Sequence, residues 1–372
     1  MIESGQPPYR SAYPAHDQLF IARSCDRGKP GYRPNGAKIH LGKDTTMTRF
    51  GYTLMTEQSG PRELVRYAVA AEQAGFDFLV SSDHFSPWLA SQGHAPHAWT
   101  LLGAVAQATD HIPLMTYVCC PTMRYHPAIV AQQAATLQIL AEGRFTLGLG
   151  SGESLNEHVI GVGWPGLDER QDRLAEAIGL IRDLLTGNTI SRRGHWYRVD
   201  AAKIWDLPAQ PVPIAVAVSG PQSVRRFAPL ADEMITTDPD ADLVDSWQLI
   251  RTDEYGTGPS RVTGQVPVSW DSDRDKAIQR AHEQFRWSAG GWDVNANLPT
   301  PAGFAAATRF VRPRDIAEQI ACGPDLDAIA ASVRPYRDAG FTDIALVQVG
   351  DEQQDRFLAE AAPPLLDKLR AS

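Results

Sequence analysis

From Arg49 onward the chain repeats one unit: a short apolar run that ends on polar residues, followed by a longer amphipathic stretch. The apolar runs are "RFGYTLM", "FDFLVSSDH", "IPLMTYVCC", "RFTLGLGS", "VPIAVAVS", "EMITTD", "GQVPVSWD" and "TDIALVQVG". They are apolar throughout rather than alternating, as expected of parallel strands covered on both faces. The stretches between them carry helix signals. In "SGPRELVRYAVAAEQAG", Pro61 lies in the first turn, Glu63 favours the positive end, Leu64, Ala68 and Ala71 share a face, and Gly75 ends the helix. Eight such strands, each followed by helix, predict a single (β/α)8 TIM barrel over residues 47–372. A hairpin, "TISRRGHWYRVDAAKIW" with Gly194 at its turn, reads as an insertion after strand four. "HEQFRWSAGGWDVNANLPTPAGF" reads as an insertion between strand seven and its helix.

Residues 1–46 are rich in Pro, Gly, Arg and Tyr, show no sustained period and have no apolar core of a secretory signal. They are expected to be disordered or loosely attached. A net charge of −9, without a Lys/Arg-rich run, argues against nucleic-acid and anionic-membrane partners. No apolar run approaches the roughly 18 residues of a membrane helix. The four cysteines, Cys25, Cys119, Cys120 and Cys322, form no CxxC, which fits buried thiols in a reducing cytoplasm.

The reactive face of such a barrel is the carboxyl end of its strands. Strand two ends on Asp83 and His84, in "VSSDHFSPW", with Trp88 four residues beyond the histidine. Strand three ends on Cys119 and Cys120, strand four on Ser151, Glu153 and Asn156, and strand five on Ser219 and Gly220. Strand six gives Thr236, Thr237 and Asp238, strand seven Trp270 and Asp271, and strand eight Gln348. The amino ends offer nothing comparable. His84 titrates nearest neutral pH and can take a proton from an alcohol, and Glu153 follows an apolar strand where its acid form is accessible. Glu153 can also be read as a helix-start acid.

Other chemistries fit less well. "LGLGSGE" spaces its glycines G-x-G-x-G rather than G-x-G-x-x-G, so Gly148, Gly150 and Gly152 are expected to admit a flat ring near the backbone instead of forming a dinucleotide loop. His94 and His97 have no carboxylate cluster to complete a metal site, and no G-x-S-x-G elbow presents a serine nucleophile. Trp287 and Trp292 read either as a lid over the mouth or as packing.

Together, "SDHFSPW", "GHAP", "CPTMRYHPAIVAQ", "GLGSGESLNEH" and "VAVSGPQS" make residues 47–372 resemble the coenzyme F420-dependent branch of the luciferase-like superfamily, and within it the F420-dependent glucose-6-phosphate dehydrogenases. The resemblance implies a deazaflavin at the barrel mouth, usually in a homodimer. It implies that Asp83 contacts the cofactor, that His84 is the base on a substrate hydroxyl, that Trp88 holds the reacting intermediate and that Glu153 is the acid. It places Asn156, Cys120, Gly150 and Gly152 near the cofactor, a bulge at Tyr117-Val118 behind the ring, and Ala217, Val218, Ser219 and Gly220 by its phosphate. The substrate end departs from the family pattern. Strand six ends in "TTDPDAD", where the sugar-phosphate enzymes place a Lys, and "NANLPTPAGFAAATRF" carries no Lys and one Arg, Arg309. The expected substrate is therefore a neutral alcohol or carbonyl compound, with Trp287, Trp292 and Phe304 as pocket walls near Asp238. A sugar-phosphate dehydrogenase and an FMN-dependent monooxygenase are the alternatives.

Overall fold

A computed structural model describes residues 47–371, and the N-terminal segment 1–46 lies outside the described residues. The first four strands are β1 (Arg49–Leu54), β2 (Phe78–Ser81), β3 (Leu114–Thr116) and β4 (Phe145–Leu149). A hairpin of β5 (Ile190–Arg193) and β6 (Arg198–Ala202) follows, outside the barrel. The barrel continues with β7 (Ile214–Ala217), β8 (Glu233–Ile235) and β9 (Val262–Ser269). A two-residue strand, β10 (Ala321–Cys322), adds to β9, and β11 (Asp343–Gln348) is the eighth barrel strand. β9 pairs with both β8 and β11, and β11 with β1, which closes the ring of parallel strands.

The helices form where the sequence signals them. α1 (Pro61–Ala74) buries Leu64, Tyr67, Ala68 and Ala71, and it ends at Gly75, whose φ of 92° lets its amide reach the Ala71 and Glu72 carbonyls. Phe78, Val80, Met115, Ala215, Ile235 and Ala345 fill the barrel interior, and Leu79, offset by one residue in β2, packs outward into the large core under the helices.

The insertion after β9 is longer than the sequence reading. It starts at the helix Arg274–Phe285 and runs through short helices to β10, before the helix Leu326–Asp338 that completes the repeat. Its own core caps the carboxyl end of the barrel, joining Phe285, Phe304, Ile316 and Ile320 to Met55, Trp88, Leu89 and Val347. Here an apolar cluster separate from the barrel core holds the cap down.

The amino end of the barrel, which offers nothing comparable to the carboxyl-end set, carries a buried acid. Asp343, inaccessible to solvent, is paired with Arg49 and lies 3.2 Å from Arg261. Arg49 on β1 and Arg261, just before β9, offset the cost of burying that carboxylate. Among the described residues no helix is long and apolar enough to cross a membrane.

Candidate functional site

His84 sits just past the end of β2, 9% exposed, with its Nδ1 2.8 Å from Glu57 Oε1. Glu57, three residues past β1, is almost fully buried, and its Oε2 accepts hydrogen bonds from Ser82 Oγ at 2.6 Å and Thr56 Oγ1 at 3.2 Å. The register that aligns Leu54 of β1 with Ser81 of β2 brings the two strand ends together. Burial pushes the Glu57 carboxyl up, but the His84 charge and the bonds from His84 and Ser82 outweigh it and leave its pKa lowered. Burial pulls the His84 imidazole down, and the Glu57 charge and hydrogen bond raise it above its ordinary value. The arrangement is a histidine whose protonated form is stabilised from behind.

Sequence reading misses Glu57. A signal is present, because "TLMTEQ" places an acid at the end of strand one, the one strand end left unread.

Trp88 walls the same place. Its ring meets His84 edge-on at 5.1 Å, stacks on Trp287 at 4.2 Å with 5° between planes, and meets Phe304 edge-on at 5.2 Å. Trp287 is thus brought to the site. Phe304, fully buried, backs Trp88, whereas Trp292 is 47% exposed and makes none of these ring contacts.

Asp83 points into a second network. Its Oδ1 accepts from Tyr125 Oη at 3.1 Å and lies 3.2 Å from Arg124 Nη2, which also donates to the Asp83 carbonyl at 2.7 Å. Arg124 serves a second acid: Glu157 Oε2 accepts from its amide at 2.8 Å, and Oε1 lies 3.4 Å from its Nε. Glu157 has no solvent exposure, and burial pushes its pKa to about 7 against the pull of Arg124. A raised folded-state pKa stabilises the fold below the unfolded value, and that contribution is lost as pH rises through about 7. The loss is about 3 kcal/mol. The melting temperature of Glu157→Gln is therefore expected to fall less than that of the wild type between pH 5 and 8. Equal falls in the two proteins would contradict this.

Besides His84 Nδ1, whose contact is the ion pair to Glu57, Asp83 Oδ2, Asn156 Nδ2 and Tyr117 Oη are buried at neighbouring strand ends without a hydrogen-bond partner in the protein. Asn156 Oδ1 is already occupied, accepting from the amides of Phe85 at 2.9 Å and Ser86 at 3.2 Å, so this residue also fixes the loop that follows His84. An acceptor and two donors left unpaired in one mouth suit a polar-edged planar ligand.

The bulge expected at Tyr117-Val118 is present. Met115 pairs with Thr146, and the pairing resumes at Cys119 with Leu149, so strand three holds one extra residue over that span. The Tyr117-Val118 peptide is cis. Thr116 Oγ1 bridges the gap, donating to the Gly148 carbonyl and accepting from its amide, both at 2.9 Å. The glycines also serve the fold. A Cβ on Gly148 would stand 1.9 Å from the Thr116 carbonyl oxygen, one on Gly150 2.5 Å from Val118, and one on Gly152 2.6 Å from Cys120 Sγ. Their missing side chains admit the neighbouring strand, a reason the sequence reading does not give.

Glu153 follows β4 and precedes the short helix Ser154–Glu157, partly exposed and making no capping bond. Val218 is buried at the end of β7, beside partly buried Ala217, and the amides of Ser219 and Gly220 both lie 3.2 Å from Ser223 Oγ, which accepts from them. Those donors, expected beside a phosphate, have a partner within the fold. Asp238 is exposed at the end of β8, and Arg309 is exposed with its guanidinium over the Phe310 ring at 4.5 Å.

The family model described as luciferase-like monooxygenase matches residues 45–343. The chain belongs to this family. It is 38% identical over 87% of its length to a protein of Nakamurella multipartita named F420-dependent glucose-6-phosphate dehydrogenase, covering 97% of that relative. A protein of the same name from Amycolatopsis mediterranei is 35% identical over 87% of the chain and 99% of the relative. Among solved structures, an F420-dependent secondary alcohol dehydrogenase in complex with an F420-acetone adduct aligns with a TM-score of 0.77 and 25% identity, over 85% of this chain and 99% of that one.

Proposed function

We propose that this luciferase-like protein is an F420-dependent oxidoreductase that moves a hydride between the cofactor and a neutral alcohol or its carbonyl partner. The observation that carries the reading is the His84–Glu57 pair beside the Trp88 wall, with Glu153 at a neighbouring strand end. The deazaflavin supplies a ring carbon that accepts or returns a hydride. Asp83, Asn156 and Tyr117 would hold it through their unpaired atoms, with Val118 and Ala217 at the same mouth.

His84 acts as the base. Glu57 holds Nδ1, so Nε2 is the nitrogen left to take the hydroxyl proton, and the charge that develops on the ring faces a buried carboxylate. Trp88, fixed by Trp287 and Phe304, restricts the substrate to one side of the imidazole and keeps water from it. Glu153 is the second proton carrier. The chain works as a homodimer in the cytoplasm, a reading supported by the family resemblance and by the free thiols of Cys119, Cys120 and Cys322.

The relatives named for glucose 6-phosphate favour a second reading, a sugar-phosphate substrate. The charges argue against it. Asp238 is an acid where a cation is needed, and Arg309 stands exposed against Phe310. A phosphate dianion desolvated without a cationic partner costs several kcal/mol. We therefore expect kcat/KM for neutral secondary alcohols to exceed that for glucose 6-phosphate by about 10²-fold or more. Efficient turnover of the sugar phosphate at micromolar concentrations would establish the second reading. Retention of FMN rather than F420 in a parallel fluorescence titration, with oxygen consumption, would overturn both in favour of a monooxygenase.

A further inference from the structure

The peptide on each side of Glu153 is held by a group distant in sequence. On one side the Gly152 carbonyl accepts from Arg170 Nη1 at 3.0 Å. On the other the Ser154 amide donates to the Ala296 carbonyl at 2.9 Å. Arg170 is only 4% exposed, its Nε has no partner, and its guanidinium lies 4.3 Å over the ring of Trp164. Trp164 in turn donates its Nε1–H to Asn297 Oδ1 at 3.1 Å. Ala296 and Asn297 are consecutive residues of the insertion after β9, the same insertion whose Trp287 stacks on Trp88 beside His84.

The carboxylate between these anchors makes no capping bond. Its direction is therefore set by the backbone that carries it, and Gly152, with φ of 80°, gives that backbone a left-handed turn that the two anchors brace. Arg170 is an unusual cation to find there. Burial lowers its pKa, and the neighbouring Cys120 and Glu153 pull it back up, so the guanidinium lies within electrostatic reach of the acid without an ion pair in this structure. A planar cation stacked on an indole and clamped to one carbonyl is held in orientation better than a flexible ammonium would be.

We propose that Asn297, Trp164 and Arg170 form a relay through which the insertion after β9 positions Glu153, with Arg170 as the positioning residue. The insertion thereby governs both proton carriers, touching the His84 side through Trp287 and the Glu153 side through Asn297 and Ala296. This rests on the reading of Glu153 as a proton carrier, and it extends that reading by making acid placement depend on the segment that covers the substrate.

The test compares Asn297→Ala, Arg170→Lys and Arg170→Gln with Glu153→Gln, alone and combined. Asn297 is exposed, so its truncation is expected to leave melting temperature and cofactor affinity unchanged while slowing single-turnover hydride transfer roughly 10-fold. The same change is expected to shift the pH–rate limb that Glu153→Gln abolishes. In a Glu153→Gln background the relay variants should cost nothing further, because groups acting through one residue are not additive. Hydrogen exchange on the cofactor-free protein gives a readout independent of turnover: the amide of Ser154 should exchange faster in Asn297→Ala and Arg170→Gln. If Glu153→Gln leaves the rate unchanged, the acid assignment fails. If it slows the rate but the relay variants remain fully additive with it, or leave both the pH limb and Ser154 exchange untouched, the relay is wrong and the acid stands.

Discussion

His84→Ala is expected to slow alcohol oxidation by about 10²–10⁴-fold in single-turnover mixing, with cofactor binding near wild type. The expectation follows from geometry, since His84 is the titratable group under Trp88 and lies 2.8 Å from a buried carboxylate. Glu57→Gln is the sharper experiment. As a base, His84 must be neutral to act, so the oxidation rate rises with pH through the histidine's own pKa, which Glu57 holds above the ordinary value. Without that carboxylate the burial that lowers the pKa is opposed only by the weaker pull of Glu153, and the limb moves to lower pH while the rate at its plateau falls. A limb that stays in place in Glu57→Gln would show that another group limits the profile. A wild-type rate in His84→Ala would remove the base altogether.

Gly148→Ala is expected to lower stability by about 3 kcal/mol, the upper end of what overpacking costs. Its new methyl would stand 1.9 Å from the Thr116 carbonyl oxygen, a backbone atom that cannot swing aside like the end of a long side chain. Relief requires β3 and β4 to part, and their separation is set by the two hydrogen bonds that Thr116 Oγ1 makes to Gly148. Gly103 lies inside the helix Ala98–Ala108, and nothing stands within 4 Å of where its added methyl would sit. It is the matched control and should gain stability as alanine. Urea unfolding of the two variants measures the contrast. Comparable stability in both would mean that the barrel wall yields at Gly148.

The strands are legible because a parallel sheet buried on both faces leaves unbroken apolar runs, and the faces of α1 are legible because Leu64, Ala68 and Ala71 recur at helical spacing. Asp83, His84 and Trp88 can be singled out because they are close in sequence at one strand end. Glu57 is marked only by its place at the end of strand one, and Arg124, Glu157 and Arg170 carry no such mark, since each matters through a partner on another strand or helix. Arg124 reaches Asp83 across 41 positions, and no periodicity encodes that meeting. The glycines in and just past β4 stand out by the absence of a side chain, and the contacts a Cβ would make with strand three are visible only once the two strands are paired. The full extent of the insertion escapes the pattern because its helices are short and individually weak.

The closure of the ring also sets an order in time. Glu57 is followed at once by Gln58, whose side chain bonds the Gln348 carbonyl and the Gly350 amide at the far end of the chain, 290 and 292 positions away. Gln354 ties the same place from the other side, bonding Tyr52 and the Gln348 carbonyl. The near partners of the His84–Glu57 pair come from the ends of β1 and β2, whereas the anchor on the adjacent Gln58 comes with the final barrel strand. Contacts of such long sequence separation carry the largest loop-closure cost and form late. A chain that lacks β11 keeps the bonds from Thr56 and Ser82 to Glu57 but not those that hold Gln58 beside it. Closure of the ring is thus expected to brace this corner rather than to create it.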